Sequence, residues 1–134
     1  MTQWTLAIPY PPITANARGN RWDDARRVRN IRQAVATLAR SQRIPDLTGH
    51  CDVQLEVRFI TNRRRDATNW MPTEKAAVDG LRDAGVLADD TQAHYTAHIP
   101  IVRMETDPRL VNQMRTFISQ SLAYLIITDT KGET

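Results

Sequence analysis

The chain has a single cysteine, Cys51, so it can form neither an internal disulfide nor a cage of thiolates around a metal. Zinc fingers are excluded, and Cys51 is expected to fill space at a strand edge. Lysine is almost missing as well: of 18 cationic side chains only Lys75 and Lys131 are lysine. No apolar run approaches the roughly 20 residues that a bilayer crossing needs. The opening Met1-Thr2-Gln3-Trp4 lacks the charged-then-apolar layout of a signal peptide, so the expectation is a cytoplasmic protein with no membrane partner. Internal repeats and low-complexity segments are also lacking. What is present, 41% hydrophobic and 25% charged residues over 134 positions, fits one packed domain over residues 1–134. The net charge of +3 says little about partners. The arginine bias says more, because the planar guanidinium grips phosphate oxygens two at a time. A GC-rich coding sequence produces the same bias, so nucleic acid is admitted as a partner without being established.

Trp4, Leu6 and Ile8 alternate with Thr5 and Ala7, the two-residue period of a half-buried strand. Pro9-Tyr10-Pro11-Pro12 fixes several φ angles and removes amide donors, so a stiff loop reaching about Asn20 should follow. From Asp23 the apolar residues Val28, Ile31, Val35 and Leu38 recur at helical steps, predicting a first helix to about Arg40 that Asp23 or Asp24 would cap. Arg26, Arg27, Arg29, Arg32 and Arg40 on its other faces either track a phosphate backbone or form a solvated face. After Pro45 and Gly49, Val53, Leu55, Val57 and Phe59 alternate with Gln54, Glu56 and Arg58 as a well-patterned strand of antiparallel type.

Residues 62–69 have no apolar period and read as a loop. Asn69 is expected to cap a second helix carrying Ala77, Val78 and Leu81, with Pro72 harmless in its first turn and Gly85 as its stop. An edge or bulged strand should run from Tyr95 to Met104 across Pro100. A third helix would carry Leu110, Val111, Met114, Phe117 and Ile118, and residues 122–127 read as either a closing strand or a helix end.

Two acidic spots lie in irregular segments rather than on helix faces: Asp66, directly after Arg63-Arg64-Arg65, and Asp89-Asp90 after the second helix. Hydrolysis of a phosphodiester needs a hard divalent cation to generate hydroxide and neutralise a crowded phosphorane. Mg²⁺ is held by a few carboxylates plus waters. Asp66 and Asp90 can share such an ion if both ends of the second helix lie on one rim of the sheet. The plainer alternative is that Asp-Asp simply starts a turn. The arginine run would repel itself unless anions answer it, and a DNA backbone supplies anions. His94 and His98 are too far apart on a strand to share a metal ion, at about 13 Å over four residues. Asp46 with Glu56 and Arg58 only faintly echoes restriction-type nucleases. Trp22 and Trp70 can stack on unpaired bases or serve a core.

Four ordered strings, Ile8-Pro9-Tyr10-Pro11-Pro12, Arg64-Arg65-Asp66-Ala67-Thr68-Asn69, Lys75 to Leu81 and Ala84 to Gln92, resemble the landmarks of the RusA family of crossover junction endodeoxyribonucleases. The resemblance spans Trp4 to about Met104. It implies a small dimeric α+β protein, a two-layer sandwich of a small mixed sheet with helices packed on it, of phage or prophage type. It also implies resolution of Holliday junctions with Mg²⁺, for which Mn²⁺ would substitute. On this likeness Asp66 is the first metal-site aspartate, Asp90 that of the second acidic turn with Asp89 its neighbour, and Lys75 the active-site lysine. Arg63, Arg64, Arg65 and Asn69 would meet DNA. The family's usual Asp-x-Asp-Asn here has Thr68 as its third residue, so the site is one carboxylate short. The stretch from Asn69 to Lys75 is also longer. Glu74 or Asp89 would have to supply the missing charge; otherwise the protein would bind branched or single-stranded DNA without cutting it. Lys75 has its own plainer alternative, an ion pair with Asp79 four residues on.

Overall fold

The computed structural model describes residues 2–14, 21–61, 65–88, 95–116 and 121–131, and of residues 21–23 and 116 the backbone only. In chain order the elements are β1 (Gln3–Ile8), α1 (Arg21–Ser41), β2 (Cys51–Phe59), a 3₁₀ turn (Ala67–Trp70) running into α2 (Met71–Asp83), β3 (Thr96–Ala97), β4 (Ile101–Met104), α3 (Pro108–Thr116) and β5 (Ser121–Asp129). The fold is α+β, built on one mixed five-stranded sheet.

The strand order is β1-β5-β2, with β3 and β4 both on the far side of β2. β5 runs antiparallel to β1 and β2, whereas β3 and β4 run parallel to β2. Four strands therefore point one way and β5, inserted between β1 and β2, points the other. The segment 122–127 is the central strand, and its alternating buried Ala123, Leu125 and Ile127 sit in register with Ile8, Leu6 and Trp4 on one side and Val57, Leu55 and Val53 on the other. Both of its faces are at least partly covered, which explains why its sequence is nearly all apolar and is compatible with either a strand or a helix end.

Parallel strands need crossovers, and α1 and α2 supply them. Ile13, ahead of α1, is bonded both ways to the Thr73 hydroxyl in the first turn of α2 (2.6 and 2.7 Å). Leu47, beyond α1, donates to the Val86 carbonyl beyond α2 (2.8 Å). The two helices thus run side by side in the same direction, from the carboxyl ends of β1 and β2 back to the amino end of the next parallel strand. Their buried faces (Ile31, Val35 and Ala39; Ala77, Val78 and Leu81) close the core over Leu6, Leu55, Val57 and Leu125. The helices approach closely at Gly80, which has no side chain to hold them apart. Arg32 reinforces the contact with a two-pronged bond to Asp83 (2.5 and 2.8 Å).

Several local expectations shift. α1 begins at Arg21, so Asp23 and Asp24 fall inside its first turn instead of capping it. Asn69 does not cap α2: a 3₁₀ turn capped by Asp66 precedes the helix, whose own cap position is Trp70, with no side-chain capping bond. Pro72 does sit harmlessly at the start of α2, and Gly85, at φ +82°, stops the chain after it. The strand expected through Pro100 is split into β3 and β4 around residues 98–100, since proline has no amide to give to the ladder. Among the described residues both pieces pair with β2 alone, at the sheet edge. Cys51 is core-facing at the first position of β2, and burial pushes its thiol up to about 12, so it stays an inert packing group. Met114 of α3 is buried near Ala7, Leu122 and Tyr124, on the sheet face away from α1 and α2. Phe117 and Ile118 lie outside the described residues.

Candidate active site

The carboxyl-end rim of β1, β2 and β4 collects the chain segments that carry Asp66, Lys75 and the Pro9–Pro12 loop. In sheets with parallel strands joined by helices, such a rim is where loops are free to build a ligand site. Phe59 ends β2 there. Its ring meets Trp70 at 5.3 Å between centroids, and the Arg65 guanidinium lies 3.7 Å above it. Trp70 is buried, which settles its role as core, while the Trp22 side chain lies outside what is described. Arg65 also bonds the Thr61 carbonyl and hydroxyl (3.2 and 2.9 Å), so it braces the turn that presents Asp66. Arg63 and Arg64 lie outside the described residues.

Asp66 is exposed, with extended backbone (φ −81°, ψ 118°) as a capping residue requires. Its Oδ1 accepts from the Thr68 hydroxyl (2.8 Å) and the Thr68 amide (3.0 Å). These two bonds, the hydroxyl's first, hold the Asp66 carboxyl below its ordinary range, so it is an anion at neutral pH. Oδ2 has no hydrogen-bond partner among the described residues. Thr68, which stands where a second carboxylate was missed, is thus committed to orienting the first. Asn69 is half-buried within the 3₁₀ turn and donates its amide to the Asp66 carbonyl (3.1 Å). Lys75 projects into solvent, 74% exposed, with only a loose 3.9 Å pairing to Asp79. That is the solvated lysine of the plainer alternative, and it leaves the ammonium accessible to an anion.

Glu74 does not supply an exposed charge. It is 2% exposed, and neither carboxyl oxygen has a hydrogen-bond partner among the described residues. Burial pushes its carboxyl up to about 7 from the usual 4.5. Nothing in the sequence distinguishes it from a solvated glutamate except its place four residues before the apolar Val78.

Asp89 and Asp90 lie outside the described residues, but the chain on either side of them is fixed. Ala88 donates its amide to Thr48 (2.9 Å), three residues before β2 begins, and Thr96 pairs with Asp52 at the start of β2. Asp66 follows the other end of that strand. A nine-residue strand separates those ends by roughly 26 Å at about 3.3 Å per residue. The condition that both ends of the α2 unit share one rim is therefore not met within one chain, because a helix linking two parallel strands must return to the opposite rim. Among the described residues, no three His, Cys, Asp or Glu side chains group to hold a metal ion.

The remaining sequence candidates are accounted for locally. The His98 ring nitrogen lies 3.2 Å from the Asp52 carboxylate, and His94 lies outside the described residues. Asp46 accepts from Thr48 in a turn. Glu56, on the polar side of the β2 alternation, is buried all the same. It is 4% exposed and bound by Arg58 (2.9 Å) and Arg103 (2.6 Å), while Arg58 also reaches Glu105 (3.0 Å) and lies 4.5 Å over the Tyr124 ring. Of the α1 arginines, Arg32 and Arg40 are tied to Asp83 at the helix interface. No family model and no curated protein matches the chain.

The elevated Glu74 value makes a stability prediction. A carboxyl whose folded-state pKa is raised contributes most below its unfolded value, and that contribution is lost as pH rises through about 7. At about 1.4 kcal/mol per unit, a rise from 4.5 to about 7 amounts to about 3 kcal/mol. The favourable field at the start of α2 offsets only about 0.3–1 kcal/mol of this. Glu74→Met, which keeps the length and removes the charge, should therefore raise the unfolding free energy at pH 8.5 and do so far less at pH 4. Urea denaturation at the two pH values measures the difference; an equal gain at both would refute the assignment.

Proposed function

We propose that the protein is a Mg²⁺-dependent endonuclease acting on branched DNA such as four-way junctions, and that it works as a homodimer. The observation that carries this is Asp66: an exposed carboxylate, kept ionised by Thr68, with an open oxygen, on the carboxyl-end rim beside the arginine run and the helix bearing Lys75. The donor chemistry fits the ion, since Mg²⁺ usually takes one or two carboxylates and keeps several waters.

Asp66 would bind the ion, and Asp90, with Asp89 beside it, would be the second carboxylate. Because the chain flanking residues 89–94 sits at the opposite rim, that carboxylate is assigned to the second copy of a dimer whose two-fold axis sets the acidic turn of one chain beside Asp66 of the other. When bound, the ion supplies hydroxide near neutral pH and neutralises charge on the phosphate. Lys75 reaches from α2 to stabilise negative charge developing on the phosphate oxygens. Arg63 and Arg64 meet the DNA backbone, while Arg65 and Asn69 hold the turn.

A second reading, branched-DNA binding without cutting, is favoured by one feature: both Thr68 donors are spent on Asp66 where a second carboxylate would strengthen metal binding. Incubating the protein with a synthetic four-way junction in Mg²⁺ or in EDTA separates the two. Symmetric nicks in Mg²⁺ and none in EDTA are expected. Shifted but uncut DNA would favour the binding protein, and a junction neither bound nor cut would remove both.

A further inference from the structure

We infer that the groove between the Pro9–Tyr10 corner and α1 receives an unpaired nucleobase of the branched DNA, with Tyr10 as its stacking surface. This inference rests on the proposed function and names the part of the substrate that the groove would hold. The groove has a volume of about 300 Å³ and is lined by Pro9, Tyr10, Asn30, Gln33, Ala34 and Thr37, together with Leu38. That is at the small end for a ligand pocket and suits one planar ring better than a peptide or a lipid tail.

The chemistry of the lining is specific. Tyr10 keeps 42% of its surface exposed although it is one of the largest apolar side chains of the molecule. Pro9 and Pro11 on either side fix its backbone, and Ile13 anchors the same loop to Thr73, so the chain that carries the ring is set before any ligand arrives. Across the groove, Asn30, Ala34 and Thr37 recur on one stripe of α1, with Gln33 beside them. Ala34 makes a low floor. Two amides and a hydroxyl around it offer donors and acceptors, uncharged and adaptable, of the kind that meet base edges.

Charge selects the occupant. Arg32 and Arg40 are tied to Asp83 at the other helix, but exposed Arg27 lies on the same stripe as Asn30 and Ala34, one turn nearer the rim that bears Asp66. A polyanion is drawn to such a face, and a base swung out of a branch point is the planar, apolar, hydrogen-bonding group attached to it.

The test uses a four-way junction with 2-aminopurine at the branch point, titrated in EDTA so that no strand is cut, alongside a fully paired duplex carrying the same base. Wild-type protein is expected to change the fluorescence of the junction but not of the duplex. Tyr10→Ala should abolish that change and weaken junction binding about tenfold or more, the worth of one stacked base, with duplex binding unchanged. Tyr10→Phe should behave as wild type, and Ala34→Leu, which fills the floor, should behave as Tyr10→Ala. A Tyr10→Ala protein that binds the junction as tightly and with the same fluorescence change would overturn this inference while leaving the nuclease proposal intact. A wild-type protein that binds no junction would overturn both.

Discussion

Asp66→Asn should lower Mg²⁺-dependent junction cleavage by on the order of a hundredfold or more while leaving the fold unchanged. Asparagine still accepts from the Thr68 amide and still caps the 3₁₀ turn, so little stability is lost. What disappears is the negative charge and the better metal donor. An ion bound at a phosphate lowers the barrier by several kcal/mol, and each 1.4 kcal/mol is about tenfold in rate. Junction affinity measured in EDTA should stay near wild type, since the arginines proposed to meet the DNA backbone are untouched. Undiminished cleavage by Asp66→Asn would eliminate the proposed site.

The same substitution tests the dimer arrangement. Asp66→Asn and Asp90→Asn should each be inactive alone. Coexpressed with different tags and purified as heterodimers, the two should recover one working site, formed by Asp66 of one copy and Asp90 of the other. If both carboxylates came from one chain, every site in that heterodimer would carry a lesion and no activity would return. Thr68→Asp, placing a second carboxylate beside the first, should raise the apparent Mg²⁺ affinity. It should also release Asp66 from its hydroxyl partner.

The strands and helices were legible wherever one face is buried and the other wet. β1, β2 and α1 obey that rule, and their periods locate them within a few residues. β5 does not, because none of its positions is exposed: Leu122 and Tyr124, on the face away from α1 and α2, lie beside Leu110 and Met114 of α3. The parallel pairing of β2 with β4 was not visible either, since side-chain alternation records which face is buried and carries no record of strand direction. That omission matters for the site. Asp66 and Asp90 look close in sequence, one helix apart, and only the direction of the next strand reveals that the helix carries the chain to the other rim. The burial of Glu56 is hidden for a related reason: one of the two cations that hold it, Arg103, is distant in sequence. Thr68 is visible in the sequence as a departure, but its hydrogen bonds to Asp66 follow from the 3₁₀ turn that shares its residues.

Gly80→Val should unfold the protein or lower its stability by about 3 kcal/mol or more. In an open helix, replacing glycine by alanine stabilises by about 1 kcal/mol. Here a Cβ at position 80 would stand 2.5 Å from the Arg32 carbonyl oxygen and 2.9 Å from the Val35 Cβ, contacts with backbone and a buried branch that cannot swing aside. The two parallel helices would have to separate, and they are held by the Arg32–Asp83 pair and by Arg40 on the Asp83 carbonyl. Overpacking of this kind costs about 1–3 kcal/mol for one methyl group and more for a branched side chain. Gly80→Ala should therefore melt lower than wild type and Gly80→Val lower still, whereas Gly85→Ala, with nothing within 4 Å of its Cβ, should suffer only the strain of its positive φ. Because α2 carries Lys75 and the 3₁₀ turn that Asp66 caps runs straight into it, Gly80→Ala should also reduce cleavage at temperatures well below its melting point. A Gly80→Ala protein more stable than wild type would show that the helices are not packed as closely as described.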